Sequence, residues 1–266
     1  MSDLRHRVEG LLAVLKMGDA LAELDSLCPA SKDDRFEFLS HLEALLRLEA
    51  DRRLERRIAR RIREARLPDH PTLHSFDFDF QPTLDQGLVE DLATLAWVDR
   101  TEDLLLIGQS GVGKSHIAKA LCLIACSQAR RVLYTSCADM LADLTASLAD
   151  GTLRERLKRY LRPELLLIDD LGYDPIEQEE AREAQLLYKV LEGRHQKRST
   201  IVTSNLPVEM WADYLGDQFL TVALLDRLLF HATTITIEGP SYRLAQHEKR
   251  RQQRSNTASD ASSKNQ

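Results

Sequence analysis

The sequence predicts an α/β protein with a five-stranded parallel sheet flanked by helices, preceded by a small all-helical N-terminal domain. The first 66 residues contain no glycine after Gly18 and have the pattern of helices. From about residue 88, short apolar runs alternate with helical segments, which is typical of a parallel sheet with crossover helices. A glycine-rich turn directly follows one of these runs. Such turns are typical of the place where a strand leads into a ligand-binding helix.

The N-terminal region is predicted to form three helices, approximately Leu4 to Leu15, Met17 to Leu27 and Asp33 to Arg66. In the third helix arginines recur at i, i+1, i+4 and i+5, whereas Leu54 and Ile58 are four residues apart. At about 100° per residue, the arginines cover one broad side of the helix and the aliphatic residues the other. The arginines of this basic face are Arg52, Arg53, Arg56, Arg57, Arg60 and Arg61.

This basic face is a candidate for contact with DNA. From Arg47 to Arg66 there are nine arginines and four acidic residues, although the whole chain has a formal net charge of −6. Such a face can displace counterions from a phosphate backbone and bind largely without reading the base sequence. A second basic run, which includes Arg154 and Lys158, is a further candidate. For both runs a solvated helix face remains the alternative.

Pro68 interrupts the helical pattern, and residues 67–85 are predicted to form an extended linker. Three aromatic residues, Phe76, Phe78 and Phe80, alternate along it. They either form an edge strand that packs on the core or line the base of a bound nucleotide. We favour packing.

The apolar run Leu104 to Ile107 is followed directly by the sequence Gly-Gln-Ser-Gly-Val-Gly-Lys-Ser. This is a complete GxxxxGK[ST] phosphate-binding loop between a predicted strand and a predicted helix. In such a loop the glycines bring backbone N–H groups against phosphate, the lysine reaches the β- and γ-phosphates, and the last hydroxyl binds Mg²⁺. The predicted nucleotide-binding residues are Gly108, Gln109, Ser110, Gly111, Val112, Gly113, Lys114, Ser115 and His116.

Polar residues at the ends of two later strands complete a candidate site for phosphoryl chemistry. Asp169 and Asp170 end an apolar run, and we assign Asp169 to the Mg²⁺ shell with Ser115 and Asp170 to the attacking water. Asn205 follows the predicted strand Thr200 to Ser204 at the same edge of the sheet. There it either senses the γ-phosphate or forms a turn.

Arg227 is the single cation within the apolar helical segment Leu224 to Leu229. An arginine so placed can stabilise the charge of a transferred phosphoryl group. If it acts from a neighbouring subunit, hydrolysis requires assembly. For Arg227 itself, a surface ion pair with Asp226 is the alternative. For the protein as a whole, a P-loop kinase that acts as a monomer on a small molecule also stays open.

Composition excludes several classes of protein. The longest aliphatic runs, such as Leu11 to Leu15, are too short for a membrane span, so we expect a soluble, cytoplasmic protein without a membrane partner. The four cysteines form no CxxC pair, which argues against a zinc site. From residue 246 onward apolar periodicity is lost, which predicts a disordered tail. The predicted domains are therefore 1–68, 69–245 and 246–266.

The succession of motifs is GQSGVGKS, LLLIDDLGYDP, LLYKVLEGRHQKRST, IVTSN, LLDRLLFHA and GPSYRLAQ. Over approximately residues 4–245 this succession closely resembles the IstB-like ATPases, AAA+ helper proteins of insertion-sequence transposases that are related to DnaC-type helicase loaders. Compared with the wider AAA+ pattern, only 29 residues follow Ile237, so the usual helical lid is expected to be absent or vestigial. Arg243 is then only a weak candidate for a second sensor.

The resemblance implies an ATP- and Mg²⁺-dependent ATPase that binds duplex DNA, forms a homo-oligomeric ring or helical filament, and engages a cognate transposase. The second acid in such sites is usually Glu, and Asp170 is one methylene shorter, which predicts slow basal hydrolysis. Two alternatives are a replicative helicase loader and a protein for which ATP is mainly an assembly ligand. The residues that match the family's site are the loop ligands Lys114 and Ser115, the acids Asp169 and Asp170, the first sensor Asn205 and the trans-acting Arg227.

Overall fold

The computed structural model of this chain describes residues 2–172, 180–249 and 251. The chain divides into two compact units, Met1–Arg60 and Arg61–Gln266. In the described part, no helix combines the length and the apolar character that crossing a membrane would require.

The first unit is helical, as the sequence predicts. Its buried core includes Leu4, Val8 and Leu12, which are four residues apart and therefore lie on one face of their helix. The predicted second helix is interrupted at Glu23, whose ψ of 1° departs from helical geometry. The helices are α1 Ser2–Val14, α2 Gly18–Ala22, α3 Leu24–Leu27 and α4 Lys32–Ala65, the last of which continues into the second unit.

The centre of α4 is exposed on both its basic and its aliphatic side. Every residue from 51 to 57 is exposed, including Leu54 on the aliphatic side, which is 48% exposed. No apolar burial supports this stretch, and ion pairs along the helix do so instead, such as Arg53 Nε with Glu49 Oε1 at 2.6 Å. The aliphatic side of the helix is therefore not covered at Leu54.

The second unit contains the predicted five-stranded parallel sheet, with the strand order β2-β3-β4-β1-β5. Leu104 and Leu106 of the first strand enter one hydrophobic cluster, whereas Leu105 and Ile107 enter another on the opposite face. The sheet is therefore covered on both sides. The strands are β1 Asp103–Ile107, β2 Val132–Ser136, β3 Leu165–Leu171, β4 Ser199–Ser204 and β5 Ala232–Thr236.

Helices connect and cover these strands. Short 3-10 helices occur at Leu73–Ser75 and Val208–Met210, and residues 242–249 are also helical. The α-helices are α5 Gln86–Ala93, α6 Ala96–Asp99, α7 Lys114–Ser127, α8 Cys137–Ala149, α9 Leu153–Leu161, α10 Glu180–Arg194, α11 Trp211–Leu215 and α12 Gln218–Leu229.

Two predictions about the segments that flank the sheet need correction. Residues 67–85 contain no strand, because turns interrupt them; at one of these the Asp77 carboxylate accepts a hydrogen bond from the Phe80 N–H at 3.0 Å. Residues 246–249 belong to a helix and are not disordered, since the helix that begins at 242 continues through them. Of the remaining predicted tail, only residue 251 lies within the described residues.

A buried arginine joins three elements at the end of the sheet where β4 begins. Arg194, the last residue of α10, is 1% exposed. Its guanidinium donates to Thr200 Oγ1 at 3.0 Å, to the carbonyls of Tyr160 and Pro163 at 2.7 and 3.0 Å, and to the Ser199 carbonyl. The arginine thus satisfies carbonyls at the end of α9, in the turn that follows it and at the start of β4.

Asp103, at the start of β1, makes folding dependent on pH. Burial raises its pKa from 3.8 to about 7, although the Thr200 N–H, which donates to Oδ1 at 2.6 Å, and Arg194 both act to lower it. The folded chain therefore binds a proton that the unfolded chain releases between about pH 4 and pH 7. Its contribution to stability is full below about pH 4 and is lost as pH rises through 7.

We expect Asp103→Asn to remove this pH dependence, because the amide oxygen can still accept from the Thr200 N–H but does not ionise. Between pH 5 and pH 8 the free energy of unfolding of the wild type should fall by about 1–3 kcal/mol relative to the variant. Urea titrations at both pH values measure this difference. Parallel pH profiles for the two proteins would contradict the assignment.

Candidate functional site

An open cleft of about 270 Å³ lies over the predicted phosphate loop. The loop and the first turn of α7 form one part of its wall, from Ser110 to His116. The linker contributes Phe76 and Gln81, and the segment after β5 contributes Tyr242 and Arg243. Asp170 and Asn205 also line it, so the cleft is built from five stretches that are far apart in the sequence.

Two glycines of the loop are required by both conformation and space. Gly111 and Gly113 have φ values of +86° and +107°, which side-chain-bearing residues rarely adopt. A Cβ on Gly113 would lie 2.4 Å from the Phe76 ring, and one on Gly111 would lie 2.1 Å from Ser241 Oγ. Phe76 and Ser241 therefore lie directly against the loop backbone at these glycines. The turn leads into α7, whose N-terminus favours an anion.

Lys114 is held at the centre of the loop. It is 4% exposed, and its Nζ donates to Asn205 Oδ1 at 2.7 Å and to the carbonyls of Gly108 and Gln109 at 2.7 and 2.9 Å. Burial lowers the pKa of Lys114, and the Asp170 carboxylate opposes that effect. A cation at this place is suited to bind phosphate.

Ser115 and Asp169 are brought together, as the predicted Mg²⁺ site requires. Asp169 is 2% exposed, and its Oδ1 accepts from Ser115 Oγ at 2.8 Å and from Thr203 Oγ1 at 2.6 Å. The Tyr134 hydroxyl lies 3.4 Å from Oδ2, and burial raises the pKa of that tyrosine. A hydroxyl and a carboxylate oxygen in contact are hard ligands that fit Mg²⁺ beside a phosphate chain.

Asp170 reaches the cleft because β3 is irregular at this point. In a regular strand, successive side chains point to opposite faces, which would separate Asp169 from Asp170. The pairing of β3 with β4 shifts register between Ile168 and Leu171, and Asp170 adopts a φ of +60°. Its N–H donates to Thr203 Oγ1 at 2.9 Å instead of to the strand ladder.

Asp170 is an exposed residue, but its carboxyl lines the cleft and is partly shielded from solvent there. Burial and the neighbouring Asp169 raise the pKa of Asp170, while Lys114 and Arg243 lower it. A left-handed conformation in a non-glycine residue costs about 1–3 kcal/mol and is characteristic of functional positions. A bulge that the sequence does not reveal therefore brings Asp170 to the phosphate-loop side of the sheet, beside Asp169.

Asn205 and Arg227 have different environments. Asn205 lies just after β4, where its amide oxygen accepts from Lys114, as described above. Arg227 does not line the cleft of its own chain; it donates to Glu192 at 2.6 Å and to Asp226 at 2.7 Å. The surface pair with Asp226 is thus present, and a role for Arg227 in a neighbouring subunit stays a prediction.

Of the linker aromatics, Phe76 both packs on neighbouring rings and lines the cleft, so the choice between packing and contact with a base stays open. Phe76 packs edge to face on Phe78 and on His116, with ring centroids 4.8 and 5.4 Å apart, and it also lines the cleft. Phe80 makes a similar contact with Tyr242 at 5.1 Å. Sequence reasoning missed the contribution of Gln81, whose contact with Pro240 spans 159 residues.

Among the predicted DNA-contact residues of α4, Arg53, Arg56 and Arg61 form ion pairs with glutamates of the same helix. Arg53 and Arg56 both contact Glu49, and Arg61 donates to Glu64 and to the Ala129 carbonyl. The arginines of the basic face that are exposed are Arg52, Arg53, Arg56, Arg57 and Arg60.

The second basic run divides into two groups. Arg156 and Arg159 both contact the Asp143 carboxylate on α8, so they serve the packing of α8 and α9. Arg154 and Lys158 are exposed, although Lys158 also pairs with a neighbouring glutamate. These two remain accessible to a phosphate backbone.

Comparison with known proteins finds relatives that are all named as ATP-binding proteins. The family described as "IstB-like ATP binding protein" matches residues 10–250. An ATP-binding protein named for insertion sequence IS21 of Pseudomonas aeruginosa is 37% identical over 244 residues, which cover 92% of this chain and 91% of that protein. One named for insertion sequence IS232 of Bacillus thuringiensis subsp. berliner is 32% identical over 236 residues, with 89% and 93% covered.

Solved structures support the fold. AMPPCP-bound DnaA from Aquifex aeolicus matches with a TM-score of 0.52 at 20% identity, over 65% of this chain and 51% of DnaA. DnaI matches with a TM-score of 0.50 at 23% identity, over 63% of this chain and 91% of DnaI. At these identities the likeness establishes an AAA+ P-loop fold and nothing further.

Proposed function

This chain belongs to the IstB-like ATP-binding proteins of insertion sequences, and from that membership we propose that it is a Mg²⁺-dependent, DNA-stimulated ATPase. It oligomerises on duplex DNA and helps a cognate transposase to select and insert into that DNA. The observation that carries the proposal is the convergence of Lys114, Ser115, Asp169, Asp170 and Asn205 at the phosphate loop.

In this proposal each residue has a separate task. ATP supplies the phosphoryl group that is transferred to water. Lys114 and the loop N–H groups hold the phosphates, and Ser115 and Asp169 provide oxygen ligands for Mg²⁺. Asp170 orients the attacking water, and its short side chain supports slow hydrolysis in the absence of DNA.

Assembly is proposed because Arg227 lies outside the cleft of its own chain. The arginine sits near the end of α12 and is held by Glu192. In an oligomer this side chain stabilises the phosphoryl charge in a neighbouring cleft, so hydrolysis depends on assembly. The exposed arginines of α4 then bind the DNA phosphates with a strong dependence on salt.

We expect Arg227→Ala to assemble on duplex DNA but to hydrolyse ATP at least about tenfold more slowly than the wild type, because the transferred charge loses its cation. Analytical ultracentrifugation with ATP, with and without duplex DNA, measures assembly, and phosphate release measures hydrolysis. Lys197→Ala, at an exposed lysine after α10, is the matched control.

The proposal would be overturned if the wild type stayed monomeric in the presence of ATP and duplex DNA and if its retention on DNA did not depend on salt. Assembly on single-stranded but not duplex DNA would favour a helicase loader instead. DNA binding could be equal with ATP and with a non-hydrolysable analogue, and could stay equal through repeated rounds of binding. That result would indicate that ATP acts only as an assembly ligand.

A further inference from the structure

Thr203 of β4 lies opposite both acids of the site. The register of β3 against β4 shifts between Ile168 and Leu171, so that two residues of β3 face one residue of β4. The two residues are Asp169 and Asp170, and the one is Thr203. Ile168 and Leu171 are buried on either side of the bulge, and Thr203 itself is 0% exposed. The acids therefore belong to a short segment that is fixed at both ends.

The Thr203 hydroxyl makes one hydrogen bond to each acid. Its Oγ1 donates to Asp169 Oδ1 at 2.6 Å and accepts from the Asp170 N–H at 2.9 Å. A hydroxyl has a single proton, an ionised carboxylate can only accept, and an N–H can only donate. The two contacts therefore fix the orientation of the hydroxyl, which joins the carboxylate of one acid to the backbone of the next.

The contact with the N–H concerns a backbone conformation that is otherwise unfavourable. Asp170 has a φ of +60°, which residues with side chains rarely adopt. A bulge leaves its extra residue unpaired in the strand ladder, and the Thr203 hydroxyl supplies the acceptor that the Asp170 N–H then needs. In a regular strand the Asp170 side chain would point to the face of the sheet opposite to that of Asp169. The hydroxyl thus stabilises the conformation in which Asp170 lines the cleft.

We propose that Thr203 is a positioning residue for ATP hydrolysis, and that it holds the Asp170 carboxylate where this group orients the attacking water. This inference rests on the proposed function, in which the cleft hydrolyses ATP. Thr203 does not line the cleft, so it acts through its neighbour. A displacement of an orienting group by about 1 Å is enough to slow a reaction about 100-fold. A buried hydroxyl behind the site therefore controls turnover.

Asp169 depends less than Asp170 on this hydroxyl. Its Oδ1 also accepts from Ser115 Oγ at 2.8 Å, and the Tyr134 hydroxyl lies 3.4 Å from its Oδ2. The phosphate loop itself makes no hydrogen bond with Thr203 among the described residues. Loss of the hydroxyl should therefore lower the turnover number and leave the affinities for nucleotide and Mg²⁺ almost unchanged. A general loosening of the site would instead change all three quantities.

The experiment compares two substitutions that separate the hydroxyl from the rest of the side chain. Thr203→Val keeps the shape and has no hydroxyl, whereas Thr203→Ser keeps the hydroxyl and loses a methyl group. We expect kcat with duplex DNA to fall at least about tenfold in Thr203→Val and to stay within about threefold of the wild type in Thr203→Ser. In both variants the ADP affinity and the Mg²⁺ concentration for half-maximal hydrolysis should stay within about threefold of the wild-type values.

Thr200→Val is the matched control on the same strand. Thr200 is also buried, and its hydroxyl accepts from Arg194 Nε at 3.0 Å at the other end of the sheet. This variant should unfold at a lower urea concentration than the wild type and keep the wild-type kcat. Circular dichroism identifies the variants that retain the fold. Thr203→Ala, which also lacks the hydroxyl, takes the place of Thr203→Val if the valine variant does not fold.

A wild-type kcat in folded Thr203→Val would overturn the role of Thr203, and so would equal losses of kcat in Thr203→Val and Thr203→Ser. An increased Mg²⁺ requirement as the main effect would contradict it as well, because the hydroxyl would then act through Asp169. Each of these results leaves the proposed function intact. A wild type that binds ADP but hydrolyses no ATP with duplex DNA would overturn the proposed function, and the role of Thr203 with it.

Discussion

Replacement of Lys114 by alanine is expected to weaken ADP and ATP binding by about 3 kcal/mol or more, at least about 100-fold, and to reduce hydrolysis to background. The ammonium group is buried at the loop and is the cation that the phosphates would contact. Its removal takes away that charge and also leaves Asn205 Oδ1 and two loop carbonyls without their donor. The loss should therefore appear in binding and not in turnover alone.

Titration calorimetry with ADP measures the affinity, and a Lys249→Ala variant, at an exposed lysine, controls for the loss of a positive charge. Circular dichroism spectra should coincide for the variants and the wild type. ADP affinity within threefold of the wild type for a folded Lys114→Ala would show that the loop does not bind phosphate as proposed.

The second large effect is on stability. Arg194→Leu is expected to lower the free energy of unfolding by about 3–5 kcal/mol, because it removes donors from buried acceptors at four residues. Burial lowers the pKa of Arg194 only to about 9, so the side chain is charged at neutral pH. Arg194→Lys should restore little of the lost stability, since an ammonium group cannot reproduce the planar arrangement of N–H donors of the guanidinium group.

Trp97 and Trp211 report this transition, because both are buried within the second unit, in different clusters of its core. Urea unfolding followed by tryptophan fluorescence gives the free energy for each variant. Arg198→Leu, four residues along the chain, is the control and should change stability by less than about 0.5 kcal/mol. A comparable cost for both variants would contradict the special role of Arg194.

The parts of this molecule that the sequence predicted are those encoded by local pattern. The strands predicted at Leu104 to Ile107 and Thr200 to Ser204 lie within one residue of their observed bounds, because each is a short run that alternates or stays apolar and has recognisable ends. The loop before Lys114 was readable because its glycines and lysine are adjacent in the chain. Asp169 and Asn205 were predicted because parallel strands end at one edge.

The parts that the sequence did not predict depend on distant partners or on backbone irregularity. Arg194 resembles a surface residue in a charged helix end, and only the packed structure identifies its buried acceptors. The bulge at Asp170 depends on the Thr203 hydroxyl in another strand. Exposure of Leu54 could not be foreseen either, since helical periodicity specifies a face but not whether anything covers it.

The cleft wall shared by the linker and the segment after β5 bears on the order in which the protein is made. Ribosomes synthesise the phosphate loop about 130 residues before Pro240 and Tyr242, yet Tyr242 N–H donates to the Gly111 carbonyl and Pro240 accepts from Gln81. A nascent chain that ends before residue 238 already contains Lys114 and Asp169 but lacks one wall of their cleft. If the cleft binds nucleotide as proposed, we therefore expect capture to wait until translation of this unit is nearly finished and the sheet has received its last strand.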